Sequence, residues 1–150
     1  MKHFFYNLAW QMARPILPIL LRKRAAAGKE VASRIAERFG KQGSSPSRPG
    51  AIWLHAVSVG ESIAAIALVK SLAELIHGAH FIITTNTVTA AALVEKEAAR
   101  RPEIDLAHRF VPLDHPGFVD RFLQNYQPLL AIFIESDFWP NLIRSEEHTS

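Results

Sequence analysis

The chain has 150 residues, of which 49% are hydrophobic, so it can bury one core of ordinary domain size. It contains no cysteine, which excludes disulfide bonds and thiolate metal sites and suits a reducing compartment. The net charge of +3 conceals an asymmetry, because residues 1–48 carry ten Lys and Arg against two Asp and Glu. A basic segment attached to a more neutral domain is therefore predicted, and an anionic surface is the expected partner of that segment.

The first part of the chain is apolar but interrupted. Residues 4–21 are broken by polar side chains and by Pro15 and Pro18, whereas a membrane-spanning helix needs about 20 predominantly apolar residues. A basic cluster at 22–24 follows without the small-residue cleavage pattern of a signal peptide. We interpret residues 1–28 as a segment that lies in a membrane interface, with a helix packed on the domain's own surface as the alternative.

Residues 29–50 connect this segment to the rest of the chain. The stretch 29–39 predicts a helix that ends at Gly40, a residue suited to a C-cap. Residues 41–50 are dominated by Pro, Gly and Ser and have no periodicity, which is typical of a linker. The globular domain is therefore expected to begin at about Ala51.

From Ala51 onward, apolar runs alternate with helical patterns. Near-continuous apolar strands separated by helices predict an α/β fold, with a Rossmann-like parallel sheet covered by helices on both faces. The predicted strands are 51–57, 79–85, 105–111 and 129–134, and the predicted helices are 61–77, 88–101 and 116–126.

Glu61 closes the first strand and opens the first helix of this domain. The residues at 53–61 read Trp-Leu-His-Ala-Val-Ser-Val-Gly-Glu, and the carboxyl ends of strands are where open α/β sheets bind ligands. The loop is neither a Walker A loop nor G-x-G-x-x-G, so a nucleotide cradle is not expected here. Gly60 is expected to allow a tight turn, and Ser58 or Glu61 is expected to cap the helix. A structural acid at the start of a helix is the alternative to a catalytic Glu61.

A second polar loop follows the second strand. Residues 84–89 read Thr-Thr-Asn-Thr-Val-Thr, whose hydroxyl groups can bind phosphate or sugar oxygens beside a helix N-terminus. Helix capping by Asn86 or Thr87 explains much of this pattern without a ligand. The histidines show no metal-ligand spacing, and Asp114 is a further candidate helix cap.

A second strand-end carboxylate occurs near the end of the chain. Glu135 directly follows the apolar strand 129–134, within Glu-Ser-Asp-Phe-Trp-Pro-Asn at 135–141. Trp139 and Pro140 are also compatible with packing at a helix start. A carboxylate beside a buried strand needs a cationic or hydroxyl partner, so Glu135 is a candidate site residue.

These segments together resemble the N-terminal half of the Kdo (3-deoxy-D-manno-octulosonic acid) transferases of Gram-negative lipopolysaccharide synthesis. The resemblance covers roughly residues 1–143 and rests on the order and spacing of 53–61, 84–89, 111–114 and 135–141. It implies a GT-B glycosyltransferase with two Rossmann-like domains, of which the acceptor-side domain is 51–143. It also implies transfer of Kdo from CMP-Kdo to the lipid A precursor, lipid IVA, at the cytoplasmic face of the inner membrane.

The resemblance assigns roles to individual residues. Glu61 is expected to be the general base and Glu135 a second essential carboxylate, in an inverting reaction that uses no metal and no cofactor. The resemblance and the polar loops at 53–61 and 84–89 together predict four substrate-binding residues: Ser58, Gly60, Thr85 and Thr87. The donor CMP-Kdo is expected to bind a C-terminal domain that the sequence lacks, so the chain is expected to be a poorly soluble or inactive fragment.

Residues 144–150 read Arg-Ser-Glu-Glu-His-Thr-Ser and depart from both the family and the apolar pattern. They are interpreted as translated adapter sequence, with an ordinary polar tail as the alternative.

Two other functions remain as alternatives: a non-catalytic membrane-surface or lipid-binding module, and another GT-B or sugar-nucleotide enzyme. Nucleic-acid binding is not expected, because the basic residues are not interleaved with exposed aromatics on a known motif.

Overall fold

Among the residues that the structure describes, four parallel strands form a sheet in the order β3-β2-β1-β4. The computed structural model describes residues 2–43 and 48–134. Helices connect successive strands, as parallel pairing requires. The strands are β1 (Ile52–His55), β2 (His80–Thr85), β3 (Asp105–Phe110) and β4 (Leu130–Phe133), and the connecting helices are α3 (Val59–Leu75), α4 (Val88–Arg100) and α5 (Pro116–Tyr126).

Helices cover both faces of the sheet, and the two inner strands, β1 and β2, are buried over nearly their whole length. One face packs against α3 and α4 through residues such as Leu54, Ile66 and Val94. The other face packs against α5, where Trp53 contacts Phe122 with ring centroids 5.0 Å apart. The predicted α/β class, with a parallel sheet covered on both faces, is confirmed.

All seven elements predicted after Ala51 are present, with ends that shift by up to two residues. The helix α5 has the predicted bounds because Pro116 occupies its first turn, where proline is favoured. Helix α3 begins two residues earlier than predicted, at Val59, because Ser58 is its N-cap. The cap residue, rather than the first apolar position, determines where this helix starts.

The N-terminal segment forms two helices, α1 (Lys2–Ala13) and α2 (Leu17–Ala26), separated by a turn at Pro15. Within residues 2–43 and 48–134, none of the helices has the length and apolar character needed to cross a membrane. The Tyr6 hydroxyl donates a 2.6 Å hydrogen bond to Asp114, in the loop after β3. This contact joins α1 to the same end of the sheet at which β1 and β2 terminate.

The predicted helix before the linker is a 3-10 helix, Ala32–Phe39, and it packs on the domain. Gly40 caps it in the left-handed conformation with φ 71°, as predicted. A Cβ at Gly40 would lie 2.0 Å from the Phe118 carbonyl oxygen, so no other residue fits between this helix and α5. Side chains of α5 bind the helix's last carbonyl groups, since Arg121 donates to Phe39 and Asn125 to Gly40.

Candidate active site

The carboxyl ends of β1 and β4 define a switch point in the sheet. The chain crosses from β1 outward to β2 and β3, and β4 then returns to pair with the other side of β1. In open α/β sheets, ligands bind in the crevice outside the strand ends at such a point. The chain leaves β1 at this edge through residues 56–58, and α3 follows at once with Glu61 in its first turn. Residues 56–61 are called the Glu61 turn.

Ser58 and Glu61 form a reciprocal capping box at the start of α3. The Ser58 hydroxyl oxygen accepts a hydrogen bond from the Glu61 backbone N–H at 3.3 Å, and the Glu61 carboxylate accepts from the Val57 and Ser58 backbone N–H groups at 2.7 and 3.2 Å. The hydroxyl group of Ser58 also donates to the other Glu61 oxygen at 2.8 Å. The predicted capping of this helix is confirmed.

This arrangement fixes the Glu61 carboxylate without burying it fully. Glu61 is half-buried, and Ser58, Val59 and Gly60 beside it are exposed. In these three hydrogen bonds the carboxylate oxygens are the acceptors. A carboxylate held in this way can take a proton from a hydroxyl group that approaches from solvent.

The expectation that Gly60 makes a tight turn is wrong. Gly60 lies in the first turn of α3 and is not among the glycines with positive φ. A Cβ at this position would meet only the Ser58 hydroxyl oxygen, at 3.9 Å. Glycine is therefore not required by the backbone here, and its lack of a side chain leaves open space in front of the α3 N-terminus.

The loop after β2 lies next to the Glu61 turn. The Ala56 backbone N–H donates to the Thr84 carbonyl at 3.0 Å, so the strand pairing continues to the edge of the site. Thr87 is exposed and caps α4 by accepting a hydrogen bond from Ala90, which decides between the two predicted caps. Thr85 is buried, and its hydroxyl group hydrogen-bonds His108 Nε2 at 2.8 Å.

Buried polar side chains connect β1 and β2 directly beneath the site. The Trp53 indole N–H donates to the Thr84 hydroxyl oxygen at 2.8 Å, and His55 Nδ1 lies 2.8 Å from the same oxygen. All three residues are at most 4% exposed. Because such polar groups are costly to bury without partners, their mutual pairing gives the two strand ends one defined arrangement.

Two arginines of the 3-10 helix support the edge from the side of β3. Arg34 forms a bidentate pair with Glu37 at 2.7 and 2.8 Å, and Glu37 accepts the Phe110 backbone N–H at 2.8 Å. Arg34 and Arg38 also lie 4.6 and 4.9 Å from the Phe110 ring centroid. These residues were not predictable from the sequence, because a charged stretch in a short helix normally faces solvent.

His108 is a buried histidine whose pKa is strongly lowered. Burial, together with the nearby positive charges of Arg34, Arg109 and Arg38, lowers the pKa of His108 to about 3. Arg34 Nη2 lies 3.0 Å from His108 Nδ1, so the imidazole accepts there and its Nε2–H faces Thr85. The histidine is therefore neutral at pH 7.

We predict that acid destabilises the chain through His108. An unfolded histidine binds a proton below a pKa of about 6.5, whereas folded His108 stays neutral down to about 3. The unfolded state thus binds more protons in this window, so the free energy of unfolding falls as the pH falls. The stability advantage of the parent over His108→Gln should be about 2 kcal/mol smaller at pH 5 than at pH 7, by urea denaturation. An advantage that is equal at both pH values would contradict this prediction.

Other predicted residues have structural partners. Asp114 is buried and binds Tyr6, and the N-cap of α5 is His115 rather than Asp114.

A cavity of about 270 Å³ lies outside β3, lined partly by Arg34, His108 and Arg109, and none of its lining residues belongs to the Glu61 turn. Among the described residues, no group of three or more His, Asp or Glu side chains is arranged to hold a metal ion.

Glu135 and residues 136–150 lie outside the described residues. The second carboxylate and the tail 144–150 therefore remain predictions from the sequence. The carboxyl end of β4 at Phe133, two residues before Glu135 in the chain, pairs with His55 of β1.

The fold is a parallel α/β domain in which the carboxyl end of β1 carries a carboxylate, Glu61, that is held by hydrogen bonds. Residues 33–149 match the family model described as "3-Deoxy-D-manno-octulosonic-acid transferase (kdotransferase)". The chain belongs to this Kdo transferase family, and the sequence resemblance is confirmed.

Individual relatives agree with this assignment. The chain is 34% identical to the 3-deoxy-D-manno-octulosonic acid transferase of Haemophilus influenzae over 95% of its own length and 33% of the relative's. It is also 34% identical to the Rickettsia bellii protein of the same name, over 95% of its own length and 33% of the relative's. A protein of Arabidopsis thaliana, "Probable 3-deoxy-D-manno-octulosonic acid transferase, mitochondrial", is 38% identical to the chain over 86% of the chain's length and 28% of its own. The chain thus spans about a third of the length of these relatives.

Proposed function

We propose that the chain is the acceptor-side part of an enzyme that transfers Kdo from CMP-Kdo to the lipid A precursor, lipid IVA, in lipopolysaccharide synthesis. The observation that carries this proposal is Glu61, which is fixed at the carboxyl end of β1 beside the switch point, in a chain of the Kdo transferase family. The fold supports an acceptor domain of the GT-B type, with its ligand edge open to solvent at Ser58 and Gly60.

The proposed reaction is an inverting, metal-independent displacement. The Glu61 carboxylate takes the proton of an acceptor hydroxyl group, whose oxygen forms a bond to the anomeric carbon of Kdo. The bond from that carbon to the phosphate oxygen breaks, and CMP leaves with the electron pair. A general base contributes about 10²–10⁴-fold to such a step, and positioning of the two substrates supplies much of the remainder. Glu135 is proposed as the second carboxylate of the cleft.

Acceptor binding is proposed along the neighbouring strand ends of β1 and β2. Ser58, Gly60 and Thr87 are exposed there, at the N-termini of α3 and α4, where free backbone N–H groups favour phosphate oxygens. Thr85 lies in the buried layer beneath the loop. CMP-Kdo is proposed to bind a C-terminal domain, and the chain alone is proposed to be inactive.

A joined chain tests the proposal. It consists of residues 1–143 followed by the part of the Haemophilus influenzae relative that lies beyond the matched region. We expect this joined chain to transfer labelled Kdo to the lipid A precursor, and the 150-residue chain alone to transfer none. An inactive but folded joined chain, beside an active Haemophilus enzyme, would contradict the proposed function.

The apolar surface of α1 and α2 supports a location at a membrane surface, proposed to be the cytoplasmic face of the bacterial inner membrane. Among the side chains that the structure describes, seven large apolar ones are exposed on these helices and at the turn between them, and the basic cluster 22–24 is exposed beside them. Apolar burial together with basic residues is the pattern that holds a helix in a lipid interface. The seven residues are Phe4, Phe5, Leu8, Met12, Ile16, Ile19 and Leu20.

We predict that this surface binds vesicles. Replacing Leu8 and Met12, which are 46% and 73% exposed, by serine should weaken binding of the 150-residue chain to phosphatidylglycerol vesicles by about tenfold or more, as measured by co-sedimentation. The matched control replaces Leu75 and Ile76 at the end of α3, which are 77% and 45% exposed, and should leave binding unchanged. Equal effects of the two double substitutions would exclude α1 as the lipid-binding element.

A further inference from the structure

Arg38 has a hydrogen-bond partner for every N–H of its guanidinium group. Its Nε and Nη2 bind the two oxygens of Glu30, each at 3.1 Å. Its remaining contacts reach the strand ends: Nη1 donates to Asn86 Oδ1 at 3.0 Å and to the Val111 carbonyl at 3.2 Å, and Nη2 donates to the Asn86 carbonyl at 2.6 Å. Arg38 is 3% exposed, so these contacts are shielded from water.

The loop that Arg38 holds is part of the candidate acceptor site. Asn86 stands between buried Thr85 and the exposed N-cap Thr87, at the point where β2 becomes α4. Arg38 binds Asn86 through both its side chain and its backbone, so the direction in which the chain leaves β2 depends on this guanidinium group. Glu30 alone would satisfy the charge of Arg38, and the contacts to Asn86 are additional to that pair.

We propose that Arg38, oriented by Glu30, is a positioning residue for acceptor recognition, because it fixes the Asn86–Thr87 turn next to Glu61. This inference rests on the proposed function. The positioning role requires a planar side chain with several hydrogen-bond donors. A lysine ammonium has only three donors and cannot bind Glu30 bidentately while it also reaches both Asn86 oxygens. The acceptor, and not CMP-Kdo, is the substrate that a displaced turn would affect.

The test uses the joined chain and the variants Arg38→Lys and Asn86→Ala. Each should raise KM for the lipid A precursor about tenfold, with KM for CMP-Kdo unchanged and kcat within about threefold of the parent. The double variant should be no worse than the poorer single variant, because both substitutions break the same contact. Asn86→Ala keeps the buried Arg38–Glu30 pair, so it tests the inference even if Arg38→Lys folds poorly.

Arg48→Lys is the matched control. Arg48 is also an ion-paired arginine, but it is exposed and binds Asp105 and the Gly78 carbonyl at the amino ends of β3 and β2. This control should keep all kinetic constants of the parent. An active parent whose Arg38 and Asn86 variants retain its acceptor KM, or lose only kcat, would overturn the positioning role alone. A parent without any transfer would overturn the proposed function and this inference with it.

Discussion

Replacing Glu61 by glutamine is expected to lower Kdo transfer by the joined chain about 10²–10⁴-fold, because the amide cannot take the proton of the acceptor hydroxyl group. Glutamine is also suited to a capping box, so it preserves the hydrogen bonds from Val57 and Ser58 that hold this side chain. The start of α3 should therefore remain intact. The measurement is kcat for transfer, with circular dichroism and thermal unfolding as evidence for the fold.

This substitution separates the two roles that the structure permits for Glu61. A purely structural capping residue would tolerate glutamine, and the transfer rate would stay within a few-fold of the parent. Glu74→Gln is the matched control, since Glu74 is an exposed carboxylate near the other end of the same helix. If both variants lose activity equally, the loss does not come from a base at position 61.

Replacing Glu30 by glutamine is expected to destabilise the chain by about 3–5 kcal/mol, because it removes the carboxylate that pairs directly with the buried Arg38 guanidinium group. The two side chains are each 3% exposed, and they form a bidentate pair. Burial already lowers the pKa of Arg38 against the opposing effect of Glu30. Urea denaturation of the 150-residue chain, followed by circular dichroism, measures the change in the free energy of unfolding.

Asp105→Asn supplies the comparison for this second prediction. Asp105 also pairs with an arginine, but its side chain is 47% exposed and that of Arg48 is 60% exposed. Exposed pairs of this kind contribute about 0–1 kcal/mol, so the control should change stability little. A Glu30 variant that loses no more than this control would show that the 3-10 helix does not depend on its buried ion pair.

The elements of the domain could be predicted because local signals agree with the packing. The strands are apolar over most of their length, and the cap of α3 follows from Ser58 and Glu61 at capping-box spacing. Pro116 marks the start of α5 in the same way. The return of β4 to the free side of β1 depends on contacts far apart in the chain, which these local patterns do not contain.

The support around the candidate site could not be predicted in the same way. Glu30, Arg34, Glu37 and Arg38 form a charged stretch whose local pattern favours exposure, and only their pairing with each other and with Phe110 and Asn86 makes burial possible. For Gly60 the local pattern is misleading in another way. A glycine in a short loop motif predicts a tight turn, but Gly60 has no positive φ and a Cβ would fit at this position.

The proposed function requires that the acceptor binds at the carboxyl ends of β1 and β2. The direct measurement is an amide NMR titration of the isotopically labelled 150-residue chain with the deacylated headgroup of the lipid A precursor. We expect the largest shifts at residues 57–62 and 85–89, and these shifts should be larger than those that inorganic phosphate alone produces at the same concentration. Shifts confined to other surfaces, or the absence of shifts at millimolar concentrations of the headgroup, would contradict acceptor binding at the carboxyl ends of β1 and β2.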